Sequence, residues 1–182
     1  MSIPSGSRGE LREATLNNAE ALSEIGRATF AGTFQHLYSE ENLRVFLDEF
    51  HSAEFYQRAL SDSQTKIWVI DLDGRLVAYT KVGPNTLPCD PPQPDALELS
   101  RLYVRDEYQN EGLGARLMDR LLQHAQNEAY PDVVISVYSE NFGGQRFYAR
   151  YGFEKVGEYA FAVGDHRDHE FILSKTLSSG AG

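Results

Sequence analysis

Apolar and polar residues recur at two different periods along this chain, and the changes of period mark its elements. Residues 97–104 (LELSRLYV) alternate as a strand does, and 105–111 are polar. From Gly112 onward Leu113, Leu117 and Leu121, with Met118 and Leu122 beside them, fall at the spacing of one helix face as far as Ala125. Upstream, 11–14 predicts a short first strand, and Asn17 or Asn18 caps a helix reaching about Thr33. Ser39 caps a second helix, with Glu40 and Glu41 in its first turn against the helix dipole and Leu43, Phe46, Leu47 and Phe50 as its buried stripe. Ser52 opens a third helix running to about Leu60.

Residues 66–70 and 75–82 read as a hairpin around Asp73-Gly74. The five prolines between Gly83 and Pro94 oppose ladder pairing, so that stretch is expected to be a surface loop. Downstream come a strand at 133–138, a helix at 141–151 ended by Gly152, and a strand at 153–161. A turn around Gly164-Asp165 and a last strand at 170–173 complete the pattern. The sum is a mixed α/β sheet flanked by helices, with 1–177 as one domain and 178–182 as a flexible tail.

Composition narrows the function classes. A chain of 182 residues suffices for one domain with a substantial core. No stretch is apolar enough to span a bilayer, and the first ten residues lack the apolar segment of a secretory signal, so a soluble, cytoplasmic protein without a membrane partner is expected. The single cysteine, Cys89, forms no internal disulfide and reads as incidental. A formal net charge of -10 argues against nucleic acid as partner and gives weak support to a cationic substrate. His166 and His169 with Asp165 and Asp168 lie in what reads as a hairpin turn, where polar residues are ordinary, so no metal is expected.

The glycine-bearing loop between strand and helix carries the chemistry. A helix start offers backbone N–H groups without intrahelical partners and partial positive charge, and Gly112 and Gly114 let a diphosphate approach the backbone closely. A P-loop would need Lys and then Ser or Thr where Ala115 and Arg116 stand; a dinucleotide fingerprint would need a small residue at Leu117. What remains, Gln-x-x-Gly-x-Gly over 109–114, resembles the acetyl-coenzyme A loop of the GNAT superfamily of N-acetyltransferases. Residues 141–153 (NFGGQRFYARYGF) are similar to that family's second signature. Residues 28–47 and GDHRDHEFILSKTL near the end resemble the bacterial spermine/spermidine N-acetyltransferase branch.

The resemblance implies the GNAT fold: α/β, with a mixed, mostly antiparallel sheet whose central strands splay to bind acetyl-CoA. It implies coenzyme contacts from Leu102, Tyr103, Val104, Gln109, Asn110, Glu111, Gly112, Leu113, Gly114, Ala115 and Asn141. Asn141 has a second reading as a plain helix N-cap. Backbone N–H groups of 102–104 would polarise the acetyl carbonyl. Glu98 is the expected base, acting directly or through water, with an ion-paired surface Glu as the competing reading; Tyr148 is the expected acid for the leaving thiolate.

The small-molecule amine would be a polyamine such as spermidine or spermine, with Glu40, Glu41 and Ser100 as substrate contacts and Asp48 and Glu49 beside them. Those carboxylates read equally as a solvated helix face. Ser100 departs from the acidic residue common in that branch. A protein N-terminus, an amino acid or a drug amine are other acceptors, and a non-catalytic acyl-CoA binding or regulatory module is the rival class. The motifs leave oligomeric state open, a homodimer included.

Overall fold

The structure, a computed structural model, describes residues 9–178. Beyond Ser178, the expected tail lies outside the described residues, as do the first eight positions. Strand β1 (Glu10–Glu13) leads into helix α1 (Ala19–Phe34), followed by α2 (Glu40–Phe50) and α3 (Ala53–Ser61). The hairpin β2 (Lys66–Leu72) and β3 (Arg75–Pro84) precedes β4 (Leu97–Val104), α4 (Leu113–Asn127) and β5 (Asp132–Tyr138). Helix α5 (Phe142–Arg150) and the hairpin β6 (Glu154–Val163) and β7 (His166–Thr176) end the described chain. One seven-stranded sheet has the order β1-β2-β3-β4-β5-β7-β6. All its neighbours are antiparallel except β4 and β5, which the crossover helix α4 joins in parallel.

The caps follow local chemistry. Ser39 Oγ accepts from Asn42 N at 3.1 Å and Ser52 Oγ from Phe55 N at 3.1 Å, each satisfying a donor that its helix start leaves open. Asn18 stands at the N-cap of α1, yet its Oδ1 turns back to Thr15 N, 2.9 Å, and to Arg12, 3.0 Å. The Asp73-Gly74 turn has φ of 53° and 87°, the left-handed pair of a tight hairpin.

Two expected boundaries and one expected burial shift. Gly83 and Pro84 belong to β3, paired with Glu98 and Leu97; a proline at the end of a strand removes no further ladder bond. Phe50, expected in the buried stripe of α2, is 37% exposed, and only Phe46 of that stripe is fully buried. The final strand starts at His166 rather than 170, and His166, Asp168 and His169 lie within it instead of in a turn. Its polar side chains find partners in the fold, so it keeps its ladder where hydrophobic patterning stops.

The sheet buries both faces. Leu113, Leu117, Met118 and Leu121 of α4 pack with Leu97, Leu99, Val133 and Ile135 on one side, and Tyr148 and Phe153 join them. On the other, Leu22 and Ile25 of α1 and Tyr56 of α3 pack on Val69 and Tyr79, while Phe30 and Phe46 meet Val163 nearby. Gly26 makes that second layer possible: a Cβ there would lie 2.5 Å from both His51 Nδ1 and the Tyr56 hydroxyl.

Candidate active site

Where β4 and β5 run side by side, their pairing covers only Leu97↔Val133, Glu98↔Val134 and Leu99↔Ile135, although both strands continue. On its other edge β4 stays paired to β3 through Val104, but Val82 faces Leu99 and Lys81 faces Arg101, so Ser100 is an extra residue, a bulge. The bulge sits where the parallel pairing ends. Beyond it the β5-facing edge of Leu102, Tyr103 and Val104 is open to a cleft of about 1120 Å³ lined by all three residues. Such an edge can accept an amide-bearing arm as an added strand.

The turn from β4 to α4 is anchored at Arg105, a buried side chain whose Nε donates to Leu76 O at 2.7 Å and whose guanidinium pairs with Glu24 at 3.0 Å. From this fixed point the chain reaches Gln109, whose Nε2 donates to Asp106 Oδ1 at 3.2 Å. Asn110 follows at φ 63° and Gly112 at φ 80°, the N-cap of α4. The first in-helix bond recorded at this end is Arg116 N to Gly112 O, 3.1 Å, which leaves the preceding amides of Leu113, Gly114 and Ala115 as the open donors of the helix start. These residues line the cleft with Gln109 and Asn110, as does Asn141; Glu111, the remaining expected contact, is exposed and does not. Asn141 Oδ1 accepts from Gly144 N at 3.0 Å, so it caps α5 as well as facing the cleft. An open strand edge leading to a left-handed glycine and a run of free amides fits an acyl carrier with a phosphate-bearing end.

Tyr148 is buried under this arm, edge-on to Phe147 and Phe153 with centroids 5.4 and 5.8 Å away. Burial, seconded by Tyr103, pushes its hydroxyl well above the usual phenol range, so the proton stays on. That hydroxyl makes no hydrogen bond to another described residue, and Tyr148 is among the residues that line the cleft.

The far end of the cleft lies under α1, α2 and α3. Glu98 enters it with Oε2 bound at 2.7 Å by both the amide and the hydroxyl of Thr86, from the proline-rich loop. Ser100 faces it too, its hydroxyl donating to Lys81 O at 3.1 Å. Glu40 and Glu41 do not: both are exposed at the start of α2, and Glu41 pairs with Arg44 at 2.8 Å. Asp48 likewise pairs with Arg27 and Arg44 on the outer surface.

A carboxylate that the sequence analysis did not single out stands in the cleft instead. Glu170 on β7 accepts from Ser136 Oγ at 2.8 Å, and Ser136 Oγ lies 2.8 Å from the Tyr159 hydroxyl. Ser136 has one proton to give, so Tyr159 donates to Ser136 and Ser136 to Glu170. Burial lifts Glu170 to about 7 against the pull of that hydrogen bond, with the Asp168 charge adding to the rise. Its neighbour Asp168, buried, accepts from Tyr38 and lies 2.9 Å from His166 Nε2. The metal-like pattern of that strand thus resolves into hydrogen bonds, and among the described residues no cluster of three His, Cys, Asp or Glu converges as a metal site.

Lys81 and Arg101, which no motif marked, also line this end. The signal for Ser136 and Arg101 was their polarity inside otherwise apolar strands, VVISVY and LELSRLYV.

Comparison with known proteins agrees with this geometry. Residues 34–164 match the model of the acetyltransferase (GNAT) domain. An N-acetyltransferase of Lactobacillus delbrueckii subsp. lactis is 27% identical over 153 residues, 84% of this chain and 88% of that protein. A spermidine N(1)-acetyltransferase of Thermoplasma acidophilum is 25% identical over 170 residues, 93% of this chain and 98% of that one. Among solved structures, the PaiA N-acetyltransferase of Thermoplasma acidophilum in complex with coenzyme A superposes with a TM-score of 0.75 at 22% identity, covering 92% of this chain and 98% of that chain. Among the described residues no helix is long and apolar enough to cross a membrane. With the family model spanning most of the chain and the splayed strands at its centre, the chain belongs to the GNAT acetyltransferases and is an acetyl-CoA dependent N-acetyltransferase.

Proposed function

We propose that the acceptor is a small primary amine bound at the carboxylate end of the cleft, that Glu170 takes its proton, and that Tyr148 returns one to the leaving thiolate. Acetyl-CoA brings a thioester, whose carbonyl carbon forms the new C–N bond as the C–S bond breaks. A primary amine of pKa about 10.4 is almost wholly protonated at neutral pH and must lose a proton to attack. An ordinary carboxyl is a poor acceptor for it. Glu170 stands in the cleft, half-buried and held by Ser136 Oγ at 2.8 Å, and this placement carries the assignment; the burial that lifts it to about 7 makes it a better acceptor than an ordinary carboxylate. Glu98, pinned by Thr86, orients the ammonium or a relay water. Past the Ser100 bulge, the N–H groups of Leu102 and Val104, which face away from β3, supply donors for the carbonyl oxygen.

The likeness to a spermidine acetyltransferase favours a second, finer reading in which the amine is a polyamine. Two carboxylates at one end and the aromatic rings of Phe30, Phe34 and Phe46 around the cleft support a cationic guest. Glu40 and Glu41, by contrast, offer such a guest no contact inside the cleft.

Thiol release from acetyl-CoA, measured against a panel of spermidine, spermine, simple monoamines and amino acids, tests the proposal. Release that depends on a primary amine and is lost with tertiary amines supports it. Coenzyme binding without release from any amine would leave a non-catalytic acyl-CoA module. Faster turnover of spermidine and spermine than of uncharged amines, with KM rising with salt, would support the polyamine reading.

A further inference from the structure

We infer that Lys81 and Arg101 form an anion subsite of the acceptor cleft, so that the acceptor carries a carboxylate as well as the amine that is acetylated. The inference rests on the primary-amine reading above, stands against its polyamine refinement, and specifies the other end of the same molecule. Lys81 on β3 and Arg101 on β4 are directly opposed in the antiparallel ladder, and both line the cleft. Both also reach the Phe55 ring, at 5.7 and 4.6 Å from its centroid. Neither has a carboxylate oxygen within 4.0 Å among the described residues, whereas Arg12, Arg27, Arg44, Lys66, Arg75 and Lys155 each do. Glu98 and Asp62 act on Lys81 only at longer range.

Two opposed cations without a counter-charge, partly withdrawn from water, repel each other, so an arriving anion gains from both. The guanidinium is already oriented. Arg101 Nη1 donates to the Tyr56 hydroxyl at 2.7 Å and Nη2 to Phe50 O at 2.5 Å, which fixes its plane while leaving other N–H groups for a ligand. Among the described residues the one hydrogen-bond partner of Lys81 Nζ is the Ser100 hydroxyl, at 3.3 Å. A planar carboxylate matches the guanidinium fork. An extended polycation would meet two like charges at this wall.

Spacing narrows the class further. The cationic pair stands on β3 and β4 and Glu170 on β7, with β5 between, and β4 has parted from β5 at Arg101, so the backbones of β4 and β7 lie farther apart there than the roughly 10 Å of two strand spacings. A carboxylate several bonds from the amine, as in an ω-amino acid or a short peptide, bridges that span better than an α-amino acid.

Calorimetry on the coenzyme A complex, with thiol release followed in parallel, tests this. The probes are two matched pairs: ε-aminocaproate with its amide, and glycylphenylalanine with its C-terminal amide. The acids should bind about tenfold tighter than the amides or more, and Lys81→Met should lower the ratio severalfold, leaving the share that Arg101 carries. Arg101→Lys, which retains the charge and loses the fork, should lower it part of the way. Equal or tighter binding of the amides by the parent protein would overturn the subsite, and thiol release from those amides would show the amine reading intact. An acid preference undiminished in folded Lys81→Met and in folded Arg101→Lys would overturn the assignment to these residues. Tight acid binding without any thiol release would uphold the subsite and overturn the catalytic reading instead.

Discussion

Ser136 on β5 gives its only hydroxyl proton to Glu170 on β7, 2.8 Å away, and receives one from Tyr159. The chain of donors ends on a carboxylate that burial holds near 7, whereas Glu98 is held by two donors from Thr86. Two acidic side chains reach one cleft from strands on either side of β5, and their surroundings give them different tasks.

Glu170→Gln keeps shape and removes the proton acceptor. The base works only when ionised, so kcat/KM of the parent enzyme should rise with pH through about 7. In the variant that limb should vanish and kcat fall by ~10²-fold or more. Glu98→Gln should keep the limb. A limb near neutrality that persists in Glu170→Gln would place the base elsewhere. Stability moves the other way: the folded value lies above the unfolded one, so the contribution of Glu170 is lost as pH rises from about 4.5 through about 7, and the stability of Glu170→Gln should rise more steeply with pH over that window than the parent's.

Gly112→Ala and Gly112→Glu separate strain from charge. Nothing lies within 4 Å of a Cβ built on Gly112, so the methyl group meets no neighbour and costs only the left-handed φ of 80°, about 1–2 kcal/mol. Coenzyme A affinity of Gly112→Ala should be weakened and measurable by calorimetry. Gly112→Glu brings a negative side chain to the helix start where a diphosphate would sit, and binding should disappear while the circular dichroism spectrum is retained.

The cofactor end was legible in the sequence because what it needs is local: a strand, a loop with glycine at one φ, and the start of a helix, all within some twenty residues. The acceptor end was not. Glu170, Ser136, Lys81 and Arg101 come from four strands and meet only through the sheet order, in which β7 inserts between β5 and β6. Glu40 and Glu41 had the composition of a cation site, but a carboxylate acquires that role through burial, and an amphipathic helix displays its first-turn acids to water. Asp168 and His166 looked like turn residues for the same reason, since a polar residue in a strand is intelligible only once its partners are known.

Acid stability should report on His51, which is buried between Phe30, Tyr56 and Tyr103 with Nδ1 3.2 Å from the Tyr56 hydroxyl. Burial first, then the charges of Arg101 and Arg27, lower it to about 2. The unfolded chain binds a proton below about 6.5 that the folded one refuses, so stability holds above that pH and is lost as pH falls below it. The slope approaches about 1.4 kcal/mol per pH unit. Glu170 contributes the opposite slope over the same range, so denaturant titrations between pH 7 and 5 should show the His51 fall in Glu170→Gln, and adding His51→Gln should make that fall shallower, though from a lower starting stability. Equal slopes would mean that His51 takes up its proton without unfolding the chain.

Tyr148→Phe isolates the acid. The ring that packs on Phe147 and Phe153 is kept and only the hydroxyl goes, so fold and coenzyme affinity should persist. Burial raises the phenol and would equally disfavour a free thiolate beside it, so a proton offered at this spot retains its value although the phenol is a weaker acid than in water. kcat should fall by ~10²-fold, and by a similar factor for every amine that reacts, because the lost proton belongs to the leaving group and not to the acceptor. Glu170→Gln should differ in this respect, hurting amines of high pKa most and recovering in part as pH rises. A Tyr148→Phe enzyme with parental kcat, under conditions where the chemical step limits turnover, would make this tyrosine a packing residue and leave solvent to protonate the thiolate.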